Sequence, residues 1–355
     1  MKNLVVLTVA LLVCAFNAQA KIWRVNNNNG LTADFTTLQA AHNGAVAGDT
    51  IHLESSATSY GSLTCTKKLI IIGTGYFLAE NPNNQALTQP SYIDNISFNI
   101  GSEGSVVMGC TFANTSINVF ASNIEIRRNR FTSPNGATVD YYVGVVNLYY
   151  QSNNSNLPVN NIIITQNFGL IINGTSRAST GILITNNYIA RYGYEGDATA
   201  NNSIDLNSGT VALIQNNIFR RGRINVYNSN LTNNIMVAGS MGGSGNLVSN
   251  NIGSGTQFGS TNGNKENIDM STVFLGTAPD ISPDGVWKLK AGSPAIGAGF
   301  GSTAGNVIDC GMFGGNFPYV LAGLPGIPSI YFFENQPVGS SSDPIDVNLK
   351  VKSNN

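Results

Sequence analysis

The chain has 355 residues, a net charge of −1 and only 10% charged residues, but 49 asparagines and 39 glycines. So weak a charge excludes a basic nucleic-acid surface and an acidic block alike. Beyond the leader, Cys65, Cys110 and Cys310 are odd in number and sparse, which excludes a disulfide framework and allows one bridge at most.

Lys2, the apolar run Leu4 to Phe16 and Ala18-Gln19-Ala20 form a charged start, an apolar core and a small-x-small site. They predict an export signal over residues 1–20, cleaved after Ala20. The run is too short to span a membrane comfortably. Cys14 follows Leu11, Leu12 and Val13 in the outline of a lipidation signal. Val13 is bulky for that position and Cys14 lies deep in the apolar core, so cleavage is preferred. No later apolar stretch reaches spanning length, and a secreted or outer-surface location follows.

KIWRVNN reads as a first strand. Asp34 then suits a helix N-cap, with Phe35, Leu38, Ala41 and Ala45 near one face of a short helix and Gly44 and Gly48 at its end. Asp49 turns into the strand TIHL. His42 and His52 have no converging partners in sequence, and are read as a solvated helix position and a strand position. KKLIIIGTGYF is the next strand, with Lys67 and Lys68 outside, and AENPNNQALTQP is an excursion. ISFNI, SVVMGCTF, INVF and NIEIRRNRF continue the strands. Around Asn129, alternation sends Arg128 and Arg130 outward, as an anionic-sugar patch or as a solvated strand face. Tyr141, Tyr142, Tyr149 and Tyr150 could stack on sugar rings or pack on the wall as a satellite cluster.

From Asn160 to Asn251 the chain repeats itself. NIIITQNFGLII, GILITNNYIA, VALIQNNIF and LTNNIMVAG each place a short β-branched run before an Asn and an apolar residue after it. The shared positions are Asn167, Asn187, Asn217, Asn234 and Asn251, at intervals of 20, 30, 17 and 17 residues. Asn129 and, in VMGCTF, Cys110 continue the column upstream. Runs this short and rich in β-formers are strands, and a repeat this short stacks as coils. The expected job of the Asn is double. It tolerates a left-handed bend, and its inward amide bonds the next coil in a buried ladder.

These segments resemble the pectin-lyase-like right-handed parallel β-helix superfamily, over roughly Lys21 to Gly315. The resemblance implies an all-β solenoid with an N-terminal capping helix over the open end, the β-helix and its caps spanning 21–320; residues 321–355, beyond the match, are read from their own alternation as a C-terminal β extension packing on the solenoid. It implies no particular activity. The RxPxxR of the pectate lyases, the NTD, GHG and RIK set of the polygalacturonases and the GxxDFIFG of the pectin esterases are all missing.

Arg191 and Arg221 each lie four residues past a ladder Asn. Stacking would set one above the other, with repulsion unless an anion sits between them. Glu195, Asp197 and Asp205 stand near, with Tyr192 and Tyr194, and Arg220 and Arg223 extend the positive edge. The cluster is either an internal salt-bridge network or a site. As a site, the arginines and carboxylates are its candidate catalytic groups and the tyrosines with Arg220 and Arg223 its substrate contacts.

Downstream, VWKLKAGSPAIGAG and VIDCGMFGG should close the stack, with Trp287, Leu289, Ile296, Ile308 and Phe313 plugging the last coil and Asp309 bonding turn backbone. LPGIPSIYFF and IDVNLKVK alternate like an antiparallel pair. Two functions fit. The preferred one is a non-catalytic extracellular protein that binds polysaccharide, adheres or builds structure. The other is a polysaccharide lyase or glycoside hydrolase acting on an acidic polysaccharide through a groove on the side of the helix. No cofactor or metal is expected, and calcium belongs only to the lyase alternative. The expected partner is an extracellular or envelope glycan, with no nucleic acid, and monomer and homotrimer are both open.

Overall fold

The computed structural model describes residues 20–113, 115–132, 144–151, 156–190, 201–340 and 344–354. The predicted signal therefore lies outside the described residues, apart from Ala20.

The chain winds as a right-handed parallel β-helix, and each full coil crosses three faces. The first sheet has ten parallel strands, from Ile22–Val25 through Ile162–Thr165, Ile182–Thr185 and Ala212–Gln215 to Leu247–Ser249. The remaining solenoid strands divide into a second and a third sheet. Strand Phe168–Gly174 belongs to both: Phe168 pairs in the third, and Ile171 to Asn173 pair in the second. From the first sheet the chain bends onto the third, crosses to the second and returns.

The β-branched runs stack because their registers place like on like. Ile51, Ile71, Val107, Ile126, Ile164, Ile184, Ile214 and Leu231 form one inward column, all fully buried. Burying each such side chain contributes about 1.5–3 kcal/mol. Inside the third sheet, Phe112 and Phe131 stack at 5.2 Å between ring centres.

The bend from the first to the third sheet is made by two adjacent residues with separate jobs. Asn187 donates its backbone N–H and its amide to Asn217 Oδ1, both at 3.0 Å. Its amide also reaches Ile164 O, at 2.9 Å. The same pattern links Asn129 to Asn167, Asn167 to Asn187, Asn217 to Asn234 and Asn234 to Asn251. Cys110 heads the column, donating its N–H to Asn129 Oδ1 at 3.2 Å, and burial pushes its thiol pKa up. Asn264 ends it, accepting from Asn251. The left-handed bend, however, belongs to the preceding residue. Arg128, Gln166, Asn186, Asn216, Asn233 and Asn250 have φ between 53° and 58°, and the ladder asparagines do not share that conformation. Packing inward and turning the chain are thus divided between neighbours.

That outer column carries a strap, residues 294–324, which runs back along the corner. Asn250 donates to Ala298 O, Asn233 accepts from the Phe300 N–H, and Asn216 donates to Asp309 O. Asn186 donates to Met312 O and Gly314 O, and Gln166 to Phe317 O and Pro318 O. Arg128 donates to Leu324 O at 2.8 Å, so it is a clamp under the strap and not part of an open outward patch. Under the strap lie the residues that follow the ladder asparagines: Ile218, Ile235 and Ile252 point outward from the third sheet and pack with Met312 and Cys310.

The ends differ in part from expectation. Helix Leu38–Gly44 covers the leading end, with Leu38, Ala41 and Ala45 buried. Its N-cap is Thr37, not Asp34, whose carboxylate instead accepts the Arg24 N–H. His42 is buried, not solvated, and its Nε2 accepts the Thr66 N–H at 3.1 Å. Lys67 donates to His42 O and Ala45 O at the helix end. At the far end Phe258 packs into the core beside the last coil. Trp287 does not plug that coil: it lies on the outside of the third sheet, against Tyr188 and Phe274. Ile296 is largely exposed on the strap. Asp309 does bond backbone, accepting from Gly297. Ser329–Asn335 and Val347–Lys352 pair antiparallel, and bonds from Lys352 to Asn83 O and from the Ala86 N–H to Ile330 O tie the hairpin's base to the loop over 79–90. Cys65, Cys110 and Cys310 are all buried free thiols.

Candidate functional site

The residues expected to form one site are distributed over two outer faces. Asp205 and Arg223 stand on the second sheet, whereas Arg220 lines a cleft over the third. Arg221 ends strand Ile218–Arg221, and a register shift after Ile189 sets it beside Ala190. Arg191, Tyr192, Tyr194, Glu195 and Asp197, with Tyr141 and Tyr142, lie outside the described residues.

On the second sheet, strand pairing puts Ser97, Asn118, Asn147, Asn173, Asp205 and Asn225 in one column. All are half-exposed or exposed, and alternate inward neighbours such as Ile117, Val146 and Ile224 hold them outward. Adjacent members are one strand spacing apart, about 4.8 Å. Asn147 donates to Asn118 Oδ1 at 3.0 Å. The Asp205 carboxylate accepts one amide N–H from Asn202 and one from Asn225, each at 2.7 Å. The column's next position is Gly242, where a Cβ would run into the Arg223 side chain. The missing side chain is what lets that guanidinium continue the polar line. Two residues beyond Asn118 and Asn147, Phe120 and Tyr149 stack at 4.8 Å, with planes 9° apart. Tyr150 is more exposed, and the Arg177 guanidinium lies 5.9 Å over its ring.

The sequence reading missed this column, although its signal is present. INVF, VVNL, IING, SIDL and RINV repeat a β-branched residue followed by Asn or Asp. The longer ladder motif overshadowed it.

Over the third sheet, a cleft of about 980 Å³ opens where the strap and its neighbours leave the outward column uncovered. That column runs Arg130, Phe168, Tyr188, Ile218 in register. Phe168 forms the floor, stacked at 4.4 Å on the buried Tyr188. Phe77 makes one wall and Trp287 the other. Arg130 lies 4.2 Å over the Phe77 ring and Arg220 lies 5.9 Å from that of Trp287. Gly169, at φ +90°, keeps the floor low, because a Cβ there would collide with Phe131 O. Asp284 fixes the distance between the walls. Fully buried, it accepts from Asn81 on the Phe77 side and from Ala322 and Tyr319 on the strap.

No family model matches the chain, and no curated protein matches it. The crystal structure of pectate lyase Pel9A matches at 12% identity and a TM-score of 0.36, over 84% of this chain and 97% of that one. No residue role is carried over from it.

Among the described residues, no three histidine, cysteine, aspartate or glutamate side chains converge as a metal site. Nor is any helix among them long and apolar enough to cross a membrane. On the polar face Asp205 is the carboxylate of the column, and its bonds come from neutral amides. This arrangement offers hydrogen bonds at a fixed pitch.

Proposed function

We propose that this is an exported glycan-binding protein whose second-sheet face holds a linear polysaccharide along the solenoid axis. The observation that carries the reading is the unbroken outward column from Ser97 to Asn225, extended by Arg223 and flanked by the Phe120–Tyr149 stack. An extended glycan presents hydroxyls at a repeat comparable to strand spacing. Amides and a hydroxyl at that pitch can both donate and accept, and the carboxylate accepts. The aromatic pair adds apolar ring surface beside the column for sugar C–H groups. The export signal expected over residues 1–20 supports the reading, because polysaccharides are met outside the cell.

The test is a panel of neutral and acidic polysaccharides screened by affinity electrophoresis and calorimetry, with each mixture also assayed for reducing ends and unsaturated uronate. Binding without products is expected, and weakening of at least about fivefold in Asn147→Ala and Tyr149→Ala, a loss on the scale of one hydrogen bond. Products that form would replace a binding role with a catalytic one. Binding that both variants leave intact would remove the face from the reading.

A further inference from the structure

We infer that the buried Asp49 carboxylate is a built site for the amino terminus that removal of the leader creates at Lys21. The expected cleavage falls between Ala20 and Lys21, and the fold fixes the second of these residues. Ala20 lies exposed ahead of the first strand. Lys21 O accepts the Thr50 N–H at 2.8 Å, which pins the residue against the start of strand Thr50–Leu53. The Lys21 nitrogen thereby sits 2.8 Å from Asp49 Oδ1. The other carboxylate oxygen accepts from Trp23 Nε1 at 2.8 Å and from the Val46 N–H at 2.9 Å. Burial pushes the Asp49 carboxyl up, but the bonds from Lys21, Val46 and Trp23 outweigh it. The group stands below its ordinary 3.8 and is ionised at neutral pH.

While the leader is attached, all three donors to this buried anion are neutral. Among the described residues no side chain forms an ion pair with it. The Lys21 ammonium lies 3.2 Å over the Trp23 ring and acts on the carboxylate only through its field. Hydrolysis of the leader supplies the countercharge. The oxygen of a water bonds the Ala20 carbonyl carbon, the C–N bond breaks, and both water protons end on the Lys21 nitrogen. Ala20 departs as a carboxylate and Lys21 keeps an α-ammonium, the main form of that group at neutral pH. The same nitrogen then meets the same oxygen in a charge-assisted bond, about twice as strong as a neutral one. Asp49 joins the first strand, through Lys21 and Trp23, to Val46 just past the capping helix Leu38–Gly44. Cleavage therefore tightens the cap on the leading end, and the precursor keeps that end looser until it is processed.

The experiment expresses the full chain in a secreting bacterial host and sequences the amino terminus of the exported protein, which should begin at Lys21. Hydrogen exchange then compares that protein with one that begins at Gln19, where the nitrogen of residue 21 remains an amide. The amides of Ile22–Val25 should exchange at least about fivefold slower in the chain that begins at Lys21. Asp49→Asn keeps the shape of the group, removes its charge, and should erase that difference. A second readout is chemical. A free amine acylates, whereas an ammonium held by a carboxylate gives up its proton less readily. At neutral pH the Lys21 α-amine should therefore label at least about fivefold faster in Asp49→Asn than in the unaltered chain. Circular dichroism confirms that the variant is folded, and the comparison of the two amino termini stands without it. An exported chain that begins elsewhere, equal exchange at the two termini, or an α-amine that labels alike with and without the Asp49 charge would overturn the inference. Polysaccharide binding on the polar face should be the same in both chains, so this inference and the glycan reading fail separately.

Discussion

Two columns of mostly amide side chains run side by side up this molecule, one residue apart in sequence and opposite in work. The inner one, Asn129 to Asn264, points into the core and satisfies the backbone of every bend. The outer one, Arg128 to Asn250, adopts the left-handed conformation and reaches out to hold the strap. The inner column tolerates little variation because each amide meets its copy above and below. The outer one admits Arg, Gln and Asn, because what it needs is a positive φ and a polar side chain long enough to bond the strap backbone, as donor or, at Asn233, as acceptor. Adjacent asparagines in one short motif can therefore differ completely in what their loss does.

The largest effect should come from the inner column. Asn187→Ala leaves Ile164 O and the Asn167 backbone N–H without their partner in a dry core, and takes from Asn217 Oδ1 one of its two donors. Buried groups left unpaired cost about 1–3 kcal/mol each, so a loss of roughly 3–5 kcal/mol is expected in chemical denaturation. Next comes Asn186→Ala, which strands Met312 O and Gly314 O and puts a Cβ residue without a helpful side chain into the left-handed region. About 2 kcal/mol is expected, from roughly 1–2 for the backbone and a partial loss of two strap bonds. Its signature is local: proteolysis within 296–324 should accelerate while the solenoid's circular dichroism stays. If Asn187→Ala costs less than Asn186→Ala, the division of labour is wrong.

Glycine sharpens the comparison by reversing a sign. At position 186 glycine takes the left-handed conformation freely, so Asn186→Gly should be more stable than Asn186→Ala by about 1 kcal/mol. At position 187 the backbone is ordinary, and Asn187→Gly should be worse than Asn187→Ala by about 0.5–1 kcal/mol. The four variants, melted side by side, isolate backbone from amide.

Much of the winding was legible in sequence because it depends on local repetition. The run IIIT or ILIT followed by a ladder Asn states a strand, its inward face and a bend within seven letters. Cys110 could be placed in the ladder column for the same reason. What was not legible depends on distant parts of the chain. Arg128 faces away from the core, as alternation requires, but whether it meets water or residue 324 is decided almost 200 residues later. Trp287 looked like a plug for the last coil because it lies near that end in sequence, yet the chain carries it back to Tyr188. The residue after each ladder Asn was read as simply apolar. Its outward direction, and the strap that covers it at Ile218 and Ile235 but leaves Phe168 open, set where the cleft lies. Asp205 was picked out for its charge, when its setting is a row of neutral amides whose own short motif had gone unread.

The smallest effect breaks the comparison by pH. The inner ladder is made of amides and one thiol whose pKa burial pushes up, so nothing in it gains a proton near neutrality. The cap on the leading end does contain such a group. His42 is buried against Thr66, and burial is the main cause that lowers its pKa below the ordinary 6.5. The nearby Lys67 charge pushes the same way, and Asn43 opposes them. The folded state therefore holds His42 neutral while the unfolded chain takes up a proton. Its contribution is present above pH 6.5 and is lost as pH falls from there through the lowered folded value. Burial lowers His52 too, with the same sign. Glu54, held below 4.5 by Arg24 and Asn26 despite its burial, gives up its contribution only in more acid solution, so a scan from about pH 7 to about pH 5 reads chiefly the histidines. The melting temperature should fall modestly over that range. It should fall less in His42→Gln, and by the unaltered protein's amount in Asn187→Ala, which is weaker throughout but no more sensitive to protons. An acid-sensitive fall that His42→Gln leaves whole would take the cap out of this account and put the titrating group elsewhere.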